Sequence, residues 1–275
     1  MPIRALHTRS TIPPAVAEEN RQKWGIKVQK SVTAIVGCLL LLASSTAGCS
    51  RKPARSNDSI APAHLATVRK DAPYHGIDVS SHQKDIDWNK LSTDSNIHFV
   101  YIKATEGSTY RSPHYARNLT EARRHGILVG SYHFLRSTSA IASQFRNFTA
   151  TARRRSQDLI PMIDVETRGS WSRKQLIDSL QLLAELIERH YGSKPMIYST
   201  MSFFNRNLSP YFNGYPLYIG RYSEKTPEIS WNGHYTIWQY SETGKIAGID
   251  TDVDLCRFSP SHTLADIMLP SATAK

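Results

Sequence analysis

The chain has 275 residues, 40% of them hydrophobic, and a formal charge of +11, enough for one large domain or two small ones. The positive excess would suit nucleic acid, but its placement argues against that partner. The first 55 residues hold nine of the 34 Lys/Arg and two of the 23 acids, a net of +7, leaving +4 for the other 220. A domain so mildly basic favours at most an anionic polymer such as a wall polysaccharide, through a long-range field.

Lys27 and Lys30 precede an apolar run over 32–43, followed by small residues over 44–48 and Cys49. Basic flank, apolar core and small-residue exit are the parts of a secretory signal, and the core is shorter than the roughly 20 residues a spanning helix needs. Ala47-Gly48-Cys49 resembles the lipobox of bacterial lipoproteins, which would make residues 1–48 a signal segment and Cys49 the lipidated residue, although Thr46 stands where Leu or Val is usual. An uncleaved signal anchor is the alternative. Either way the chain is expected to be exported and membrane-anchored in the bacterial cell envelope. Cys38 lies in the signal core, so Cys256 is the one thiol of the domain, which leaves no internal disulfide. With no C-x-x-C and eleven scattered His, neither metal nor cofactor is expected.

Residues 49–72, rich in Lys, Arg, Ser, Ala and Pro, read as a flexible tether. From Tyr74 strands and helices alternate. Strand-like runs fall at 75–80, 98–104, 127–134, 159–166, 195–199, 216–222, 235–240 and 253–258. Helical patterns cover 113–125, closed by Gly126, and 139–155, with Ile141, Phe145 and Phe148 on one face. Ser172 with Gln175 forms a capping box, and the helix it opens carries Leu176, Leu180, Leu183 and Ile187 in one stripe before Gly192. The order predicts a monomeric α/β chain folded as an irregular TIM-like (β/α) barrel over 73–265, with a tail over 266–275.

In such barrels the active site gathers at the carboxyl ends of the strands, where Asp78, Glu106, His133, Asp164 and Glu166 fall on this reading, with Trp238-Gln239-Tyr240 and Asp250, Asp252 and Asp254 near the end. Asp164-Val165-Glu166 ends an apolar run. On a strand the two acids share a face about 6.6 Å apart, too close for both to ionise freely, so one should hold its proton near neutral pH. A carboxylic acid beside a carboxylate can cleave a glycosidic bond. Glu166 is the expected acid. Asp164 could act as nucleophile, as a water-activating base, or as partner of a substrate 2-acetamido group, and spacing alone does not separate these. Tyr132, Tyr198, Trp238 and Tyr240 are sugar-binding candidates, being apolar rings with polar tips.

Seven ordered blocks over residues 74–258 resemble the family 25 glycoside hydrolases, the Chalaropsis-type lysozymes: Gly76-Ile77-Asp78-Val79-Ser80-Ser81-His82-Gln83, Tyr101-Ile102-Lys103-Ala104-Thr105-Glu106-Gly107, Gly130-Ser131-Tyr132-His133-Phe134, Ile163-Asp164-Val165-Glu166, Pro195-Met196-Ile197-Tyr198-Ser199, Trp238-Gln239-Tyr240 and Val253-Asp254-Leu255. The resemblance implies cleavage of the β-1,4 bond between N-acetylmuramic acid and N-acetylglucosamine in peptidoglycan glycan strands. It implies Glu166 as proton donor, Asp164 orienting the acetamido group and stabilising an oxazolinium, and Asp78 and Asp254 as further acids of the site. Lys84 replaces a frequent Gly and Cys256 a common Asn, and neither departure removes a carboxylate. Another acetamido-sugar glycosidase, or a catalytically silent wall-binding lipoprotein, are the rival readings. A pure binder has no need of paired buried carboxylates, which cost stability.

Overall fold

A computed structural model of the chain describes residues 69–270. The signal segment, Cys49, the tether as far as residue 68 and residues 271–275 lie outside the described residues.

Nine strands form one sheet: β1 (Gly76–Val79), β2 (Phe99–Glu106), β3 (Tyr110–Arg111), β4 (Leu128–Phe134), β5 (Met162–Asp164), β6 (Met196–Thr200), β7 (Leu217–Gly220), β8 (Ile237–Gly244) and β9 (Val253–Phe258). β1 pairs with both β2 and β9, so the sheet closes into an eight-stranded barrel, and the short β3 folds back on β2 outside it. The pairings from β1 through β8 around the barrel are parallel. β9 runs antiparallel to both neighbours. The expected barrel is therefore the one that forms, and its irregular second half has a definite cause. A short connection joins β8 to β9, and a return that short can only make a hairpin.

Strand alternation divides the apolar residues into two layers. Phe99, Tyr101, Met162, Met196, Tyr218, Ile237, Cys256 and Phe258 point inward and fill the barrel floor. Ile77, Val100, Ile102, Val129, Ile163, Ile197 and Ile219 point outward under the helices. With the floor packed solid, a ligand can reach the interior only at the mouth.

Four helices matter for the frame: α1 (Trp88–Leu91), α2 (Tyr115–Arg124), α3 (Ile141–Thr151) and α4 (Arg173–Tyr191). The Ser172 capping box forms as expected. Gln175 N donates to Ser172 Oγ at 3.2 Å, and Ser172 N donates to Gln175 Oε1 at 2.8 Å. Leu176, Leu180, Leu183 and Ile187 are all buried, so the stripe of the sequence is the buried face of the helix.

The packed chain runs past residue 265, where the tail was expected to begin. Ile267 is fully buried in the floor cluster, and Leu269 N donates to Asp158 O at 2.8 Å. Residues 266–270 cover the underside of the barrel because its floor is apolar and would otherwise face water. At the other end, Ala72 is buried although it was assigned to the tether.

Leu180→Ala removes a fully buried side chain at the helix–sheet interface and should destabilise the domain by about 2–5 kcal/mol in urea or thermal denaturation.

Candidate active site

β5 delivers the central pair. Ile163 and Val165 belong to the outer layer, so Asp164 points into the barrel, and Glu166 follows on the same side at the exposed rim. Pairing continues past the strand's end: Leu135 N donates to Asp164 O and Val165 N to Tyr198 O, each at 3.0 Å. That keeps the backbone extended, and the i, i+2 carboxyls meet through a side-chain hydrogen bond.

Their protonation has a different origin from the one the sequence suggests. Burial raises Glu166 above the usual carboxylate range, while the Asp164 hydrogen bond and the charges of Lys103 and Arg136 pull it down. Asp164 lies well above that range, first because it is buried and then because of the Glu166 charge. Both carboxyls are therefore pushed toward the protonated form, the deeper Asp164 more strongly than Glu166. Oδ1 of Asp164 is buried without a hydrogen-bond partner, an unmet polar group beside Glu166.

A second acid pair lies across the barrel. Asp78 on β1 and Asp254 on β9 are directly opposed in the antiparallel register. Because β9 is reversed, its amino end arrives where the other strands present their carboxyl ends. Burial and the neighbouring Asp78 push Asp254 up to about 9, so it holds a proton at neutral pH. Burial also raises Asp78, against hydrogen bonds from Tyr218, Gln239 and Asp254 that favour its charged form. Oδ2 of Asp78 accepts from the Tyr218 hydroxyl at 2.7 Å and from Gln239 Nε2 at 2.9 Å. Asp78 thus carries the negative charge of this pair.

Gln239 links that charge to the mouth. Its Oε1 accepts from the hydroxyls of Tyr198 at 2.6 Å and Tyr222 at 2.9 Å. A carboxylate at one end and phenols at the other fix the orientation of the amide. Gly220 makes this possible, since a Cβ there would lie 2.9 Å from the Tyr198 hydroxyl and 3.2 Å from Gln239 Oε1.

The remaining sequence candidates divide. Tyr132 and Tyr198 are buried inside the barrel, and burial raises both phenols far above their usual range, with the site carboxylates adding to it. Glu106 binds Lys103 Nζ and Arg136 Nε, each at 2.7 Å. Burial works to raise its pKa, yet these two cations hold it below the ordinary value. It thereby fixes both cations, whose charges act on Glu166. His133 faces outward. Its Nδ1 lies 2.8 Å from Thr105 Oγ1, and its Nε2 3.1 Å from Gln144 Oε1, which also accepts from Arg136 N. The proton therefore sits on Nε2, and burial drives the pKa down to about 4. Trp238 and Tyr240 are also turned away from the carboxylates: Trp238 Nε1 donates to Arg221 O at 2.8 Å, and the Arg257 guanidinium lies 4.4 Å from the Trp238 ring and 5.0 Å from the Tyr240 ring. Sequence reasoning did not single out Tyr218, Tyr222 or Arg136, took Lys103 only as an ion-pair partner for Glu106, which it is, and gave Gln239 no role of its own. Gln239 had a signal, because a strand that turns Trp238 and Tyr240 one way must turn the residue between them the other.

Comparison with known proteins identifies the setting. The family model described as Glycosyl hydrolases family 25 matches residues 77–249. The chain is 35% identical over 207 residues to the uncharacterized protein YegX of Escherichia coli O6:H1, spanning 72% of this chain and 75% of that one. It is 30% identical over 218 residues to Lysozyme M1 of Streptomyces globisporus, 74% of this chain and 71% of the other. A family 25 glycosyl hydrolase structure from Bacillus anthracis superimposes with a TM-score of 0.63 and 31% identity, over 68% of this chain and 88% of that one.

The Asp254 shift has a stability consequence. Its folded pKa of about 9 lies above that of an unfolded Asp. Between these values only the native state keeps the proton, so stability falls as pH rises. Asp254→Asn keeps a donor toward Asp78 and should stabilise the protein by about 1–2 kcal/mol at pH 8, with the gain vanishing near pH 4, as thermal melts across pH would read.

Proposed function

The chain belongs to glycosyl hydrolases family 25, and from that premise we propose that it cleaves peptidoglycan between N-acetylmuramic acid and N-acetylglucosamine. The observation that carries this reading is the Asp164/Glu166 pair of adjacent carboxyls, both raised by burial, at the open end of a closed barrel. The printed names of relatives agree: besides Lysozyme M1, an N,O-diacetylmuramidase of a Chalaropsis species is 28% identical over 191 residues.

Sugar binding would move the shared proton to where it is needed. An acetamido N–H donating to Asp164, which has an oxygen without a donor, favours the charged form of that carboxyl. The proton then rests on Glu166, which gives it to the glycosidic oxygen as the bond breaks. The acetamido carbonyl oxygen attacks the anomeric carbon, and Asp164 steadies the resulting oxazolinium. Water then opens that ring, with Glu166 taking back a proton. The two displacements leave the anomeric configuration retained. Asp78, held by Tyr218 and Gln239, adds negative potential for the oxocarbenium-like transition state, and Asp254, Tyr132 and Tyr198 bind sugar hydroxyls. Sequence supports export and anchoring in a bacterial envelope through Cys49, with peptidoglycan in reach.

Glu166→Gln should lower kcat by about 10²–10⁴-fold with a smaller change in KM, and Asp164→Asn should do likewise. Peptidoglycan whose muramic acid lacks the N-acetyl group should be hydrolysed far more slowly, and equal rates would refute acetamido participation. Activity should decline as pH rises through the raised pKa of Glu166, because the acid loses its proton. Cys49→Ser should shift the protein from the membrane to the soluble fraction on cell fractionation.

A further inference from the structure

A cleft of about 360 Å³ opens directly from Glu166 and is lined also by Arg168, Gly169, Phe203, Arg206 and Asn207. Lys103, Glu106 and Arg136 are not among its lining residues, and those two cations are already bound to Glu106. Arg168 and Arg206 differ from those two. Among the described residues, neither guanidinium has an acidic partner, a hydrogen-bond acceptor or an aromatic ring.

The backbone under each is nevertheless tied down. Thr167 Oγ1 accepts from Gly169 N at 3.1 Å, and Ser137 Oγ accepts from Ser170 N at 3.0 Å. Gly169 has φ +54°, and a Cβ there would lie 2.1 Å from Ser137 Oγ, so glycine is what lets the Arg168 loop close against its support. Arg206 rides on a single π-helical turn (Phe204–Leu208), in which Ser209 N donates to Phe204 O at 2.9 Å. Asn205 fastens the turn to the β7–β8 loop through Glu228 O at 2.8 Å and Ser230 N at 2.9 Å. Arg173 donates to Asn207 O and Ser209 O. Two unpartnered guanidinium groups on anchored backbone can meet an anion with only their side chains left to order, and planar forks suit carboxylates.

We propose that this cleft is a subsite for the acidic substituent of muramic acid, in which Arg168 and Arg206 grip a carboxylate carried on the 3-O-lactyl group. The inference rests on peptidoglycan being the substrate and adds what this chain selects on it. N-acetylglucosamine has no lactyl group, so the arginines would register muramic acid next to Glu166 and disfavour chitin-like polymers. Two sources offer the same chemistry: the lactyl carboxylate of a peptide-free strand, or a carboxylate of the stem peptide.

The test measures affinity in the Glu166→Gln background, where the sugar chain stays intact. Calorimetry would compare three probes: a glucosaminyl-muramic acid disaccharide with a free lactyl carboxylate, the same disaccharide bearing L-alanyl-D-glutamate, and that dipeptide with both carboxyls amidated. Adding Arg168→Gln and Arg206→Gln should weaken at least one acidic probe by about tenfold and leave the amidated probe unchanged. The acidic probe that weakens identifies the source, and its affinity should fall with added salt. Equal affinities with and without the arginines, an equal loss on the amidated probe, or no saturable binding of either acidic probe would overturn the subsite. Arginine-dependent binding of an acidic probe, with no fragments released from purified peptidoglycan by the unmutated enzyme, would instead sink the hydrolase reading and leave the subsite standing.

Discussion

Four carboxyl groups meet in the mouth of one barrel, and the low-dielectric floor beneath them forbids all four from being charged at once. The surrounding structure is organised around that limit. Asp164 is pushed well above the carboxylate range by burial and the Glu166 charge, and Asp254 up to about 9 by burial and Asp78. The two charges that remain are placed apart, Glu166 at the rim and Asp78 among the donors of Tyr218 and Gln239. Lys103 and Arg136, fixed by Glu106, supply the positive field that keeps Glu166 from rising further.

This arrangement costs stability and supplies reactivity. Each buried acid with a raised pKa destabilises the native state at neutral pH, because the unfolded chain would release that proton to water. The aromatic floor and the two-layered apolar core offset the cost. On the proposed mechanism the return is a proton between Asp164 and Glu166 that a hydrogen bond from the substrate moves. Deeper burial of Glu166 would lock the proton in place, and a more solvated Asp164 would not hold it.

Much of the frame was legible in the sequence. The Ser172–Gln175 capping box, the Leu176–Ile187 stripe and the alternating strand order marked α4 and the barrel, because capping and amphipathic spacing act locally. The i, i+2 spacing placed Asp164 and Glu166 together for the same reason. What escaped was non-local. The inward-facing set of a doubly buried strand cannot be chosen from its hydrophobicity, since both faces are apolar. Tyr132 and His133 were therefore both assigned to the site although neighbours on a strand face opposite ways, and the structure keeps Tyr132 inside and turns His133 to Gln144. Trp238 and Tyr240 were chosen over Gln239 for their rings, and alternation reversed that choice. The reversal of β9, which brings Asp254 opposite Asp78, depends on barrel closure across the whole chain. Strand order placed Asp254 near the end of the barrel with Asp250 and Asp252, and only the family resemblance set it apart from them.

The most direct test of the central claim is mass spectrometry of the fragments the protein releases from purified peptidoglycan, beside the Glu166→Gln variant. Muropeptides ending in reducing N-acetylmuramic acid, lost in the variant, are the predicted result. Reducing N-acetylglucosamine ends, or an undiminished yield from the variant, would contradict a muramidase that works through the Asp164/Glu166 proton.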